Sequence, residues 1–177
     1  MKKIPTIIVV LFCVQFSMAQ TKMESSKDIS ERRHEFKLET IKLMAVPALE
    51  LNYEYIRDVN QGFGAILLLN FDKENYNEKL SLTPYFRFYF NTSQEYGAKG
   101  FFVKAFSSFY SGRDIEFFDE EEDADFFDIA LGFGAGQKLI NKSGFVFEYY
   151  IGIGRNLLGN SENAVLGKFG INVGYRF

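Results

Sequence analysis

An all-β fold, an eight-stranded antiparallel up-and-down transmembrane β-barrel, is what this sequence predicts, on three observations. Residues 169–177 alternate without a break: Phe169, Ile171, Val173, Tyr175 and Phe177 share one face, and Gly170, Asn172, Gly174 and Arg176 share the other. Bulky apolar side chains opposite small or charged ones suit a strand with lipid outside and a narrow polar lumen within. The same alternation recurs in segments of about ten residues separated by turn chemistry, the length a tilted strand needs to cross a bilayer. Mean hydropathy is close to neutral although 18% of residues are aromatic, because alternating faces cancel over any window.

Met1-Lys2-Lys3 is a basic start, Ile4 to Phe16 is an apolar run, and Ser17-Met18-Ala19 supplies small residues for cleavage. That run is shorter than the roughly 20 residues of a membrane helix, so residues 1–19 read as a signal peptide removed before Gln20. Lys2 and Lys3 leave with it, taking the formal charge from -3 to -5, and so does Cys13, the single cysteine. Phe12 before Cys13 is too large for a lipidation site. A mature chain without thiols excludes disulfides, thiolate metal sites and a cysteine nucleophile. An acidic chain with no basic tract gives no support for nucleic-acid binding.

Residues 20–35 are polar, lack periodicity and read as a flexible periplasmic lead-in, with the barrel occupying 36–177. The first strand, Phe36 to Ala45, has an open register. Phe36, Leu38, Thr40 and Met44 compete with Ile41 and Leu43, and a β-bulge between Glu39 and Lys42 would reconcile them. After a tight turn through Val46-Pro47-Ala48, the second strand sets Leu49, Leu51, Tyr53 and Tyr55 against Glu50, Asn52, Glu54 and Ile56. Asp58 to Gly62 turns the chain into a third strand, Phe63 to Phe71, followed by the polar loop 72–79. The fourth strand opposes Leu82, Phe86, Phe88 and Phe90 to Ser81, Thr83, Tyr85, Arg87 and Tyr89. A fifth strand covers Gly100 to Tyr110, and an acidic loop follows to Asp125.

In the sixth strand Phe127, Ile129, Leu131 and Phe133 oppose Asp128, Ala130, Gly132, Gly134 and Gly136. Asn141-Lys142-Ser143-Gly144 is a turn. The seventh sets Phe145, Phe147, Tyr149, Ile151 and Ile153 against Val146, Glu148, Tyr150, Gly152 and Gly154, and residues 157–166 lead into the eighth. Eight is even, so both ends of the barrel meander lie on the periplasmic side. Connections after strands one, three, five and seven then face outward.

The interior of an eight-stranded barrel is only wide enough to be filled by side chains. Inner-face glycines make room there for Tyr85, Arg87, Tyr89, Tyr150 and Arg176. Inward charges of both signs are expected, namely Glu50, Glu54, Arg87, Lys104, Asp128, Glu148, Lys168 and Arg176. Buried charges must pair, so the lumen should be plugged by salt bridges, with Glu148 beside Arg176 on the neighbouring strand.

The chain resembles the DUF3575 family of outer-membrane barrels from Bacteroidetes-type bacteria, a family of unknown function, along essentially its whole mature length. The resemblance is carried by His34-Glu35-Phe36-Lys37-Leu38, Leu51 to Tyr55, Leu80 to Phe90 and Gly100 to Val103. It continues in Lys142 to Glu148, Gly152 to Leu157 and Gly174-Tyr175-Arg176-Phe177. The resemblance implies an outer-membrane location after export, but no activity. The last four residues also look like the signal read by the barrel-assembly machinery, with Tyr175 and Phe177 as its aromatic elements.

A lipid-modifying barrel enzyme would need a serine and a histidine within reach. Here His34 sits on the periplasmic side, whereas Ser107 and Ser108 lie towards the outer end of the fifth strand. Neither a catalytic set nor a cofactor site is read. Asp114, Glu116, Asp119 to Asp123 and Asp125, with Phe117 and Phe118 among them, lack EF-hand spacing. The run reads as a solvated loop at the lipopolysaccharide surface, with a weak calcium site as the sharper alternative. Phe117, Phe118, Phe126 and Phe127 are alternatively girdle aromatics. The expected role is structural or surface-interacting, in a monomer with lipid and lipopolysaccharide around it. A narrow channel or carrier is the alternative. A soluble lipocalin-like barrel, the other fold weighed, would instead place Phe145, Phe147, Tyr149 and Ile151 around a cavity.

Overall fold

The computed structural model describes residues 29–45, 47–71, 78–90, 96–113, 125–161 and 163–177. The signal-peptide expectation at 1–19 and the acidic run 114–124 lie outside these residues. Eight strands form one closed antiparallel sheet in sequence order, an up-and-down barrel. They are β1 (His34–Glu39), β2 (Ala48–Asp58), β3 (Gln61–Asn70), β4 (Glu78–Tyr89), β5 (Gly100–Arg113), β6 (Asp125–Ile140), β7 (Phe145–Asn156) and β8 (Val165–Arg176). Closure is made by β1 on β8, where Phe36 faces Tyr175 and Leu38 faces Val173. Closing the sheet removes both edges and satisfies the strand backbones internally.

Local chemistry sets the turns. Asn141 Oδ1 accepts the N–H groups of Ser143 and Phe145, and Gly144 at φ +100° completes the β6–β7 turn. Pro84 lacks an N–H, and the β4–β5 ladder passes from Leu82–Phe109 to Tyr85–Phe106 without shifting register.

Two expectations are corrected here. The first strand ends at Glu39, and Thr40–Ala45 is a short helix, α1, rather than a bulged continuation of the strand. Glu39 explains the switch: its carboxylate accepts the Ile41 and Lys42 N–H groups, as an N-cap does, and also the Ile171 N–H from β8. The lead-in assigned to 20–35 is ordered from Ile29, since Ile29–Glu31 forms a 3₁₀ turn and β1 begins at His34. Ile29 is buried with Tyr96, Ile140 and Val146 under that end of the barrel.

Every strand turns apolar side chains outward: Phe36, Leu51, Leu67, Phe86, Val103, Phe133, Ile151 and Phe169, one from each, are exposed. Phe133 and Ile151 reach 72% and 71%. The inward residues include many charged and large polar side chains, and Glu148, between half-buried Phe147 and exposed Tyr149 on its strand, is 0% exposed. This is the inverse of a lipocalin-like barrel, whose apolar set would line the cavity.

Candidate functional site

Alternation on β1, β2, β4, β6, β7 and β8 delivers one charged side chain after another to the middle of the lumen. Glu35, Glu54 and Glu148 supply three carboxylates there, and Lys37, Arg87, Lys138 and Arg176 supply four cations. Arg87 grips Glu148 with two parallel bonds, Nη1 to Oε2 at 2.5 Å and Nη2 to Oε1 at 2.9 Å, and reaches Glu54 at 2.9 Å. Lys37 Nζ lies 2.6 Å from Glu54 and 2.9 Å from Glu148. Lys138 bridges Glu35 at 2.7 Å and Glu54 at 2.9 Å. Tyr89 and Tyr85 donate their hydroxyls to Glu54 and Asn52 respectively. Such a set tolerates burial because each ion is held by several opposite charges and hydrogen bonds.

The mouth at the start of β1 is closed by a latch. Arg176 Nε binds Glu35 at 2.7 Å, while its terminal nitrogens donate to the carbonyls of Tyr96, Gly97 and Ala98. Gly97 at φ +54° and Ala98 at φ +41° bend the β4–β5 connection into the lumen, where Ala98 is fully buried. Arg32 seals the rim by donating to Ser143 O and the Tyr175 hydroxyl.

Towards the other mouth the pairs are separate. Lys42 binds Glu50, which also accepts from Tyr150 at 3.1 Å, and Lys168 binds Glu78 at 2.5 Å. Asp128 is buried but pairs with no cation among the described residues; its carboxylate collects the N–H groups of Ile129, Leu158, Asn160 and Ser161 and so folds the β7–β8 loop over the wall. Lys104 Nζ lies 3.3 Å from the centre of the Tyr150 ring.

With this geometry described, the chain can be compared with known proteins. No family model matches it, and no curated protein does. Among solved structures it is similar to the N-terminal β-barrel domain of Pseudomonas aeruginosa OprF, with a TM-score of 0.59 and 12% identity. The match covers 82% of this chain and 98% of that one. At such low identity the likeness concerns the fold.

The structure places Glu50, Glu54, Arg87, Lys104, Asp128, Glu148, Lys168 and Arg176 inside the barrel. It corrects their pairing. Arg176 joins Glu35 and not Glu148, because Glu148 faces Asn172 in the β7–β8 ladder, two inward positions away, and turns across the lumen to Arg87. Glu35, Lys37, Glu39, Lys42, Glu78 and Lys138 are inward charges that sequence reasoning missed. Extending the β6 alternation past Gly136 would have found Lys138. His34 stands on the rim, with its ring stacked on Phe177 and its Nδ1 2.8 Å from the Tyr53 hydroxyl. Ser108 is buried against Thr83. Asp125 pairs with Lys79, and the other acidic-loop residues lie outside the described residues.

Inner-face glycines answer to identifiable side chains. A Cβ on Gly64 would lie 2.4 Å from the Tyr85 ring, one on Gly62 2.4 Å from Glu54, and one on Gly174 2.7 Å from Lys37. Gly132 and Gly136 accommodate Phe106 and Phe102, two aromatics that turn inward.

Proposed function

We propose that this protein is a small outer-membrane barrel with a closed lumen and a structural or surface-interaction role, a platform for its outer connections, without enzymatic chemistry. One observation carries the reading: a belt of outward apolar side chains, drawn from all eight strands, surrounds an interior of fully buried ion pairs. Water penalises such a belt and hydrocarbon does not. The end that holds Arg176 and the Tyr96–Ala98 latch faces the periplasm, and the connections after β1, β3, β5 and β7 face outside. Membership of the DUF3575 barrels belongs to the same proposal, supported by the residue runs that carry the resemblance.

Strand length supports the platform role. β5 and β6 have 14 and 16 residues, against 10 in β3, whereas about 9–11 tilted residues cross a bilayer. Their surplus carries the ends of β5 and β6 beyond that length. Cell fractionation, gel mobility with and without heating, and planar-bilayer recording test the reading. Outer-membrane recovery, a mobility shift on heating and no steady conductance are expected. Recovery in the soluble periplasm overturns the membrane placement, and steady porin-sized steps overturn the closed lumen.

A further inference from the structure

Charge in the middle of the lumen does not balance. The connected network sets four cations against three carboxylates. A fifth cation, Lys104, lies beside it, 2% exposed, and no carboxylate or other acceptor among the described residues takes a bond from its Nζ. Its surroundings are aromatic faces: Tyr150 at 3.3 Å, Phe106 at 5.6 Å and Tyr85 at 5.9 Å. Cation–π attraction in a desolvated site returns less than dehydrating an ammonium costs. The nearby carboxylates are already engaged, Glu50 by Lys42 and Tyr150, and Glu148 by Arg87, Lys37 and Asn172.

Two more donors in this layer are buried without an acceptor, Asn52 Nδ2 and Arg87 Nε. Both residues meet the tyrosine that Lys104 also approaches. Tyr85 donates to Asn52 Oδ1 at 2.7 Å, and the Arg87 guanidinium lies 4.4 Å from its ring centre. Surplus positive charge and unmet donors therefore gather around one side chain. We infer that this layer of the lumen binds one small monovalent anion of the halide class, with Lys104 Nζ as its charged donor and Asn52 and Arg87 as flanking donors. Size points to the class, because side chains fill an eight-stranded interior and a monatomic anion asks for the least space. The inference rests on the closed lumen and is independent of the membrane placement.

The test uses the full barrel purified in detergent. Crystals grown in sodium bromide should show an anomalous bromine peak against Lys104 Nζ; a lumen without that peak overturns the inference. In parallel, replacing gluconate by chloride at equal ionic strength should raise the unfolding temperature by roughly 2–4 °C at several times Kd. The rise should vanish in Lys104→Met. A rise of the same size in that variant overturns the assignment, as does no rise in the unsubstituted protein. The crystallographic arm needs no variant, so it stands if Lys104→Met fails to fold. Conductance reads the closed lumen separately, so a failure of that reading is told apart from a failure of this one.

Discussion

Arg87 on β4 and Glu148 on β7 meet across the lumen through two parallel hydrogen bonds of 2.5 and 2.9 Å, joining strands that are not neighbours in the sheet. Strand number and the stagger of the ladders fix the diameter of a closed barrel, and this pair ties opposite walls together across it. Lys37 and Lys138 repeat the device from β1 and β6.

Because the network already holds more cations than carboxylates, losing an acid should hurt more than losing a base. Removing one partner of a buried pair destabilises by about 3–5 kcal/mol. Glu148→Ala leaves Arg87, Lys37 and Lys138 to share Glu54 and Glu35, and should fall at the upper end of that range. Arg87→Ala leaves Glu148 with Lys37 and Asn172 and should fall at or below the lower end. Denaturant unfolding in detergent measures both, and the double variant should cost less than the two singles together. Equal losses in the singles would show that the charge excess has no influence.

Much of this interior was legible from alternation alone. On β2, β4, β7 and β8 the apolar face is unbroken, so Glu54, Arg87, Glu148 and Arg176 have only one side left. β5 is less plain because Phe101 and Phe102 are adjacent aromatics, and only the inward charge of Lys104 two residues on says which of them turns in. The structure chooses Phe102, whose ring fits the space that Gly136 leaves. Around Glu39 the pattern changes period from strand to helix, an event that hydrophobicity in so short a stretch does not signal. Pairing across the lumen was illegible in principle, since alternation gives the face of a residue and not its partner.

Glycine positions make a sharper comparison. On Gly64 a methyl group would meet Tyr53 O at 2.3 Å and the Tyr85 ring at 2.4 Å, whereas on Gly167 it would meet nothing within 4 Å. Gly64→Ala should therefore cost about 1–3 kcal/mol through overpacking. Gly167→Ala should be neutral or stabilise by about 0.5 kcal/mol, since glycine is entropically unfavourable in a strand. Thermal unfolding of the two variants side by side reads the difference.

The latch depends on geometry more than on charge. Arg176 serves Glu35 and three backbone carbonyls at once, and a lysine ammonium cannot span that fork. Arg176→Lys should keep the Glu35 pair and release Tyr96–Ala98. Amide exchange at Ala98, whose N–H donates to Val59 O at 2.6 Å, should accelerate while the β7–β8 ladder stays protected. Uniform acceleration across the barrel would mean that Arg176 supports the whole fold rather than this connection.

Asp128 offers the corresponding test at the opposite mouth. Its carboxylate, buried and without a cation among the described residues, is satisfied by four backbone N–H groups, three of them in the β7–β8 connection. Asp128→Ala leaves those donors unmet at a cost of about 1–3 kcal/mol unless water reaches them. The wall itself should hold, because the β6–β7 and β7–β8 ladders run on backbone groups. Exchange at Leu158, Asn160 and Ser161 should therefore rise sharply, with a smaller change in overall unfolding. Asp128→Asn keeps one acceptor oxygen of similar placement and should recover part of the protection. If loop exchange is unchanged in the alanine variant, the β7–β8 connection is ordered by something other than Asp128.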